Sequence, residues 1–171
     1  TNKELESIVD TTDEWITERT GIKERRVSSD DETSVDMAYM ASIDAINKSG
    51  LKKDEIGAIF LATCTPERKF PSTAVLLQNR LNIKNAFSVD LNAACTGFVY
   101  ALDIAKKYIE SKQVKYALVV GTEKITSLLD WTDRNTCVLF GDGAGAMIVG
   151  SSDTAGILSS TIGSDGSYKD L

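Results

Sequence analysis

Apolar runs of strand length alternate with segments of helical periodicity along most of this chain, and that alternation constrains the fold more than any other feature. Residues 58–63 form a continuous apolar run, 86–91 and 116–121 read as further strands, and turn or polar residues bound each of them. A strand is apolar throughout when both faces of its sheet are covered, because alternate side chains point to opposite faces. Residues 138–140 and 146–149 read as two more strands, separated by the glycine-rich turn Gly141-Asp142-Gly143-Ala144-Gly145. Between the runs, residues 72–81 and 95–111 have helical spacing, and in the second Phe98, Leu102, Ala105 and Ile109 share a face. Strand–helix–strand alternation of this kind predicts an α/β fold with a largely parallel sheet.

The first third of the chain is helical in pattern. Thr1 and Glu4 have capping-box spacing ahead of Leu5, Ile8 and Val9. Thr12 or Asp13 can cap a segment that carries Trp15 and Ile16 and ends near Gly21, and residues 22–28 look extended. Thr33 with Asp36 starts a longer helix with apolar positions Val35, Ala38, Tyr39, Ile43 and Ile46, and Gly50 is its stop. No repeat, low-complexity tract or internal boundary divides residues 1–171, so they are expected to form one domain. The Ser/Gly-rich tail 159–171 reads as the start of a connection.

Composition narrows the function classes. A net charge of −6 gives no general attraction to nucleic acid or to anionic membranes. No window is apolar and long enough to span a bilayer, and no signal-peptide pattern is visible, so a cytoplasmic location is the default expectation. The three cysteines, Cys64, Cys95 and Cys137, are odd in number and far apart, which predicts free thiols in a reducing compartment. With no CxxC pair and no histidine, the sequence argues against a metal site, and this chain supplies no imidazole base.

One cysteine has the setting of a nucleophile. In Ala93-Ala94-Cys95-Thr96-Gly97-Phe98 the thiol lies between a predicted strand and a predicted helix. Unpaired N–H groups and the helix dipole favour negative charge there, and hence a thiolate. The small neighbours leave room for a substrate, and the same N–H groups can meet a developing oxyanion. The alternative is a structural cysteine acting as a small hydrophobe, and on local pattern alone both readings stand. Cys64 and Cys137 lie in or at the end of apolar strand runs, which favours packing roles. The glycine-rich turn has neither dinucleotide-binding nor P-loop spacing. The charged positions Lys106, Lys107, Glu110 and Lys112 read as a solvated helix face.

Several segments together resemble the β-ketoacyl-[acyl-carrier-protein] synthase III family of the thiolase-like condensing enzymes, in its N-terminal half. They are Asp10-Thr11-Thr12-Asp13-Glu14-Trp15-Ile16, Arg19-Thr20-Gly21-Ile22, Phe70-Pro71-Ser72, Ala93 through Phe98, Val114 through Gly121, Thr132-Asp133-Arg134, Phe140 through Ala146, and Ser164-Asp165-Gly166-Ser167. Each is weak alone; their common order and spacing are specific.

The resemblance implies a thiolase-like αβα half with a mixed, largely parallel five-stranded-type sheet whose first strand is missing, and a C-terminal half absent from the chain. It implies initiation of fatty-acid biosynthesis: a short acyl group passes from coenzyme A to Cys95, then condenses with malonyl-acyl-carrier protein. Coenzyme A would be a thioester substrate, with no separate cofactor. By similarity, Trp15 and Arg134 hold the adenine, while Thr11, Arg19 and Thr20 contact the nucleotide and phosphates. Cys64, Ile125 and Phe140 match the acyl-pocket wall, and Phe70 matches an aromatic that reaches into a partner subunit's pocket in a homodimer. Without the resemblance, Trp15 reads as core, Arg134 as an ion pair with Asp130 or Asp133, and Phe70 as a locally packed loop residue. The family's histidine and asparagine lie in the missing half, so the isolated chain is expected to be inactive. The alternatives are a non-catalytic coenzyme A-binding or dimerising module, and a related synthase of the polyketide-starter or 3-hydroxy-3-methylglutaryl type.

Overall fold

Most of the helices begin where a hydroxyl is available to cap them. The computed structural model describes residues 1–154 and 156–169. Thr1 caps α1 (Asn2–Leu5), and Thr12 caps α2 (Asp13–Thr20) by accepting from Trp15 N at 3.1 Å. Thr33 and Asp36 close a capping box at the start of α3 (Ser34–Ser49), and Ser72 caps α4 (Thr73–Leu81). Gly21 and Gly50 end α2 and α3 in the left-handed region, where the next N–H can turn back onto a helix carbonyl. The last helix, α5 (Gly97–Glu110), has no side-chain cap and begins instead from a 3-10 turn over Ala94–Thr96.

The sheet has four strands among the described residues: β1 (Ile56–Ala62), β2 (Phe87–Leu91), β3 (Tyr116–Glu123) and β4 (Gly143–Gly150), in the order β2-β1-β3-β4. β1 is parallel to both β2 and β3, and β4 runs antiparallel to β3. Two sequence expectations need correction here. Residues 138–140 are not a strand: residues 130–139 form successive turns, with Cys137 N donating to Asp133 O at 3.0 Å and Leu139 N to Thr136 O at 3.0 Å. Nor are Gly143 to Gly145 a turn between two strands, because they pair with Gly121 to Glu123 as the start of β4. Cys137, expected in or at the end of a strand run, sits in those turns.

Alternation along β1 and β3 divides the core into two layers. Ile59, Leu61, Leu118 and Val120 face α3 and α4, where Ala38, Ile46, Leu77 and Leu81 cover them. Ala58, Phe60, Ala117 and Val119 face α5, packed by Ala101, Ala105 and Ile109. Covering both faces explains the continuous apolar runs. The third core is small and separate: Leu5, Ile16, Cys137 and Val138, with Val9, Trp15 and Trp131 packed around it. It joins α1 and α2 to the 130–139 turns. No helix among the described residues is long and apolar enough to cross a membrane.

Candidate active site at the C-terminal edge of the sheet

The three parallel strands end together. Ala62 pairs with Leu91 on one side and Gly121 on the other, and Glu123 faces Gly143, the first residue of β4. The segments that leave this edge carry Cys64 after β1, Cys95 after β2 and Ile125 after β3, while Phe140 lies just ahead of β4. The carboxyl edge of parallel strands is where α/β sheets open toward ligands, because the chain must turn there into helices. The four residues matched on separate segments therefore share one edge of the sheet.

Cys95 is exposed, in the 3-10 turn that enters α5. The residue before it, Ala94, is held at φ 45, in the left-handed region that an alanine adopts at a cost of about 1–2 kcal/mol. Strained backbone of this kind collects at functional sites. Thr96 supports the turn by donating both its N–H and its hydroxyl to Ala93 O, at 3.1 and 2.8 Å. Gly97 lets the start of α5 press on β1: a Cβ there would lie 3.1 Å from Ala62 Cβ. The α-helix begins at Gly97, two residues later than its predicted start.

Cys64 is in a different state. Its backbone N–H donates to Glu123 Oε1 at 2.8 Å and its thiol to Oε2 at 3.3 Å. Thr65 Oγ1 donates to the same carboxylate at 2.5 Å. Burial pushes the Cys64 thiol up, and the Glu123 carboxylate pushes it the same way. Cys137 is fully buried, and burial followed by the charge of Asp133 raises its thiol too. All three cysteines are free, and Cys95 alone of them is exposed. Glu123 was not singled out from the sequence, although a carboxylate closing an apolar strand run is a visible signal.

The other matched residues gather on the small lobe. Trp15 and Arg19 project from α2, and Arg134 from the 130–139 turns. The Arg134 guanidinium lies 4.3 Å from the Trp15 ring centroid and that of Arg19 lies 4.5 Å from it. Both distances suit cation–π contact. The ion pair of Arg134 is a long one to Asp10 at 4.0 Å, in place of the expected Asp130 or Asp133. Asp130 and Asp133 instead hold Thr132 and Thr136 within their own turns. Thr20 spends its hydroxyl on its own helix end, donating to Ile16 O at 2.7 Å and accepting from Ile22 N at 3.0 Å. Thr11 Oγ1 is buried and has no partner among the described residues. Phe70 is 82% exposed on the loop between β1 and α4, so the local packing that the loop reading expects does not form.

The lobe and the sheet edge are joined through Asp142, which the sequence reading placed only in a turn. Its carboxylate accepts from Ser28 N and Oγ at 2.8 and 2.7 Å, and from Thr126 N and Oγ1 at 2.9 and 2.6 Å.

A sequence profile described as 3-oxoacyl-[acyl-carrier-protein (ACP)] synthase III matches residues 89–166, the stretch from β2 through Cys95 and β4. The β-ketoacyl-[acyl-carrier-protein] synthase III of Xanthomonas oryzae is 53% identical over 171 residues, all of this chain and 53% of the relative. Along its whole length the chain is similar to part of the β-ketoacyl-[acyl-carrier-protein] synthase III proteins. It spans about half the length of the curated relatives it matches. The crystal structure of the Aquifex aeolicus synthase III superposes with a TM-score of 0.87 at 52% identity, covering 90% of this chain and 50% of that one. The Pseudomonas aeruginosa synthase III superposes at 0.90 with 37% identity, over 100% of this chain and 54% of the other. The thiolase-like α/β fold follows from these matches. Where the sequence reading expected a five-stranded-type sheet lacking its first strand, the described residues hold four strands.

Proposed function

We propose that this chain is the nucleophile-bearing half of an acyltransferase that starts fatty-acid synthesis, with Cys95 as the acyl carrier. One observation carries the reading: the exposed thiol is the one delivered by a strained turn at the carboxyl edge of the sheet. In the proposed cycle the Cys95 sulfur attacks the carbonyl carbon of acetyl-coenzyme A, a sulfur–carbon bond forms, and coenzyme A leaves as its thiolate. Malonyl-acyl-carrier protein then loses CO2, and the resulting carbanion attacks the Cys95 thioester. A carbon–carbon bond forms and the Cys95 thiolate leaves. Covalent capture splits one difficult step into two, and a thiolate is a competent leaving group in each. Coenzyme A is a substrate in this scheme, and no resident cofactor or metal is invoked.

Trp15 and Arg134 form the adenine slot in this reading, with Arg19 and Thr11 beside it and Thr20 bracing the end of α2. An indole and a guanidinium both stack on a purine, and arginine pairs with phosphate. Cys64, Ile125 and Phe140 line the acyl pocket from three segments of the sheet edge. Two copies associate through β2, an outer strand with Phe87 and Val89 exposed, and Phe70 projects into the partner. The C-terminal half covers the groove of about 940 Å3 between α5 and β4, lined by Ile109, Val114, Met147, Val149 and Ile157. That half supplies the decarboxylating groups, for this chain has no histidine. A reducing cytoplasm suits an enzyme that works through a free thiol.

Incubating the full-length protein with radiolabelled acetyl-coenzyme A tests the assignment. Label is expected on the peptide containing Cys95, abolished in Cys95→Ala and retained in Cys137→Ala. Turnover that survives Cys95→Ala sinks the proposal. Coenzyme A binding with no acyl transfer at all would leave a binding module in its place.

A further inference from the structure

Arg25 is a cation that stability alone does not account for. Its Nη1 donates to Asn2 Oδ1 and its Nη2 to Val138 O, both at 2.8 Å, while its buried Nε has no partner among the described residues. Among the described residues no carboxylate forms an ion pair with it, and burial lowers its pKa. A half-buried guanidinium without a counter-ion carries a desolvation cost, and an apolar side chain of similar length would fill the same space. What that side chain could not do is bridge two acceptors on separate segments, for which the rigid fork of arginine is suited.

The two acceptors belong to the two halves of the Trp15 slot. Asn2 is itself a hub: its Nδ2 donates to Asp13 Oδ1 and Ile22 O at 2.7 Å, and Asp13 is the first residue of the helix that carries Trp15 and Arg19. Val138 lies near the end of the run of turns that carries Arg134, and that run is tied internally by Thr136 N to Asp133 O and Cys137 N to Asp133 O. A displacement at Val138 therefore moves Arg134 as well. The far end of the same loop presses on the stem of Arg25: a Cβ on Gly141 would lie 2.9 Å from Arg25 Cβ and 2.9 Å from Arg26 O. Asp142 N donates to Arg26 O at 2.8 Å just beyond.

We infer that Arg25 is a positioning residue for the nucleotide slot: through Asn2 and Val138 it sets the spacing between Trp15 on α2 and Arg134 on the 130–139 turns. The inference rests on the coenzyme A reading proposed above. The nucleotide end of the thioester is the part that depends on Arg25, and the acyl end on Cys95 does not. Arg134 lies in contact with the Trp15 ring at 4.3 Å, so an adenine bound between them must part the two by a set distance, and the two carriers share only a small apolar core.

The test uses the full-length protein and two thioesters, acetyl-coenzyme A and acetyl-pantetheine, which lacks the nucleotide. Arg25→Met keeps the length of the side chain and removes its donors. It should raise KM for acetyl-coenzyme A about tenfold, the loss of one well-placed cation–aromatic contact. KM for acetyl-pantetheine and the rate of Cys95 alkylation by iodoacetamide should stay within about twofold of wild type. Arg25→Lys, which can reach one acceptor but not both, should fall between, and it carries the same test if Arg25→Met does not fold. An unchanged KM for acetyl-coenzyme A overturns the inference. So does a parallel loss with both thioesters and with iodoacetamide, which is the signature of a general structural prop. If wild-type protein does not bind coenzyme A in calorimetry, the slot reading itself fails, and the inference falls with it.

Discussion

The two halves of the candidate site are built on opposite principles. At the sheet edge, Cys95 is placed by backbone: strand ends in register, a left-handed Ala94, and a helix seated on β1 through Gly97, all resting on two large apolar layers. In the lobe, Trp15 and Arg134 are placed by side chains: the Asp13–Asn2–Arg25–Val138 chain of hydrogen bonds around a core of four fully buried residues. Apolar layers tolerate exchange of surface polar groups but not loss of volume, whereas a polar chain fails at any single link. The nucleophile should thus be the robust half and the nucleotide slot the fragile one. The protein's two tryptophans, Trp15 and Trp131, both pack on the lobe core, so intrinsic fluorescence reports the lobe while far-UV circular dichroism reports the sheet and helices.

The comparison breaks most visibly with a cavity in the large core. Leu118 is fully buried on β3 between the sheet and α3. Leu118→Ala should cost about 2–5 kcal/mol. Fluorescence and dichroism midpoints in urea should fall together, because the lobe cannot persist without the sheet it is attached to. A fall in the fluorescence midpoint alone would reverse the assignment of robust and fragile halves.

Cutting the polar chain should do the opposite. Asn2→Ala strands Arg25 and Asp13 and leaves buried groups unpaired, at a cost of about 1–3 kcal/mol. The fluorescence midpoint should drop and separate from the dichroism midpoint, while Cys95 alkylation keeps its wild-type rate. Coincident midpoints in this variant would mean that lobe and sheet unfold as one unit.

Acid sharpens the contrast. Hydrogen bonds from Thr33 and Arg80 hold Asp36 down to about 2, and a hydrogen bond from Asn2 lowers Asp13. At Asp142 burial would raise the carboxyl, but the bonds from Thr126 and Ser28 together outweigh it. A group depressed in the folded state adds stability above its unfolded value of about 3.9, and that stability is lost as pH falls through the folded value. Stability should therefore decline between about pH 4 and about pH 2. Asp13→Asn should flatten this decline in the fluorescence signal and leave the dichroism signal as steep as before.

The sequence was most legible where one residue's chemistry decides a local structure. Thr33 with Asp36, the stop at Gly50, and the continuous apolar runs of β1 and β3 were readable because caps are local rules and a strand covered on both faces is apolar throughout. The strand-to-helix placement of Cys95 was readable for the same reason, and only the first turn of that helix was misjudged. Residues 138–140 misled because burial in a small lobe core makes Val138 as apolar as a strand residue. Gly143 to Gly145 misled because paired glycines carry no strand signal. The partners of Asn2, Arg25, Glu123 and Asp142 were not legible, since each acts on a residue many positions away. Glu123, for instance, meets the segment just after β1, and Arg25 meets Val138 across 113 positions.

The smallest effect comes from changing the same cap in each region. Thr12 caps the helix of Trp15, accepting from Trp15 N at 3.1 Å, and Thr33 caps α3 beneath the sheet, accepting from Asp36 N at 3.1 Å. Replacing either by alanine should cost about 1 kcal/mol. Equal chemistry then isolates the effect of place. Thr33→Ala should lower both urea midpoints slightly and leave coenzyme A affinity alone, because α3 rests on the shared core. Thr12→Ala should lower only the fluorescence midpoint and weaken coenzyme A binding a few-fold, because fraying at the start of α2 loosens the turn that holds Trp15. If the two alanine variants gave the same pair of midpoints, the distinction between a backbone-built and a side-chain-built half would have no energetic content.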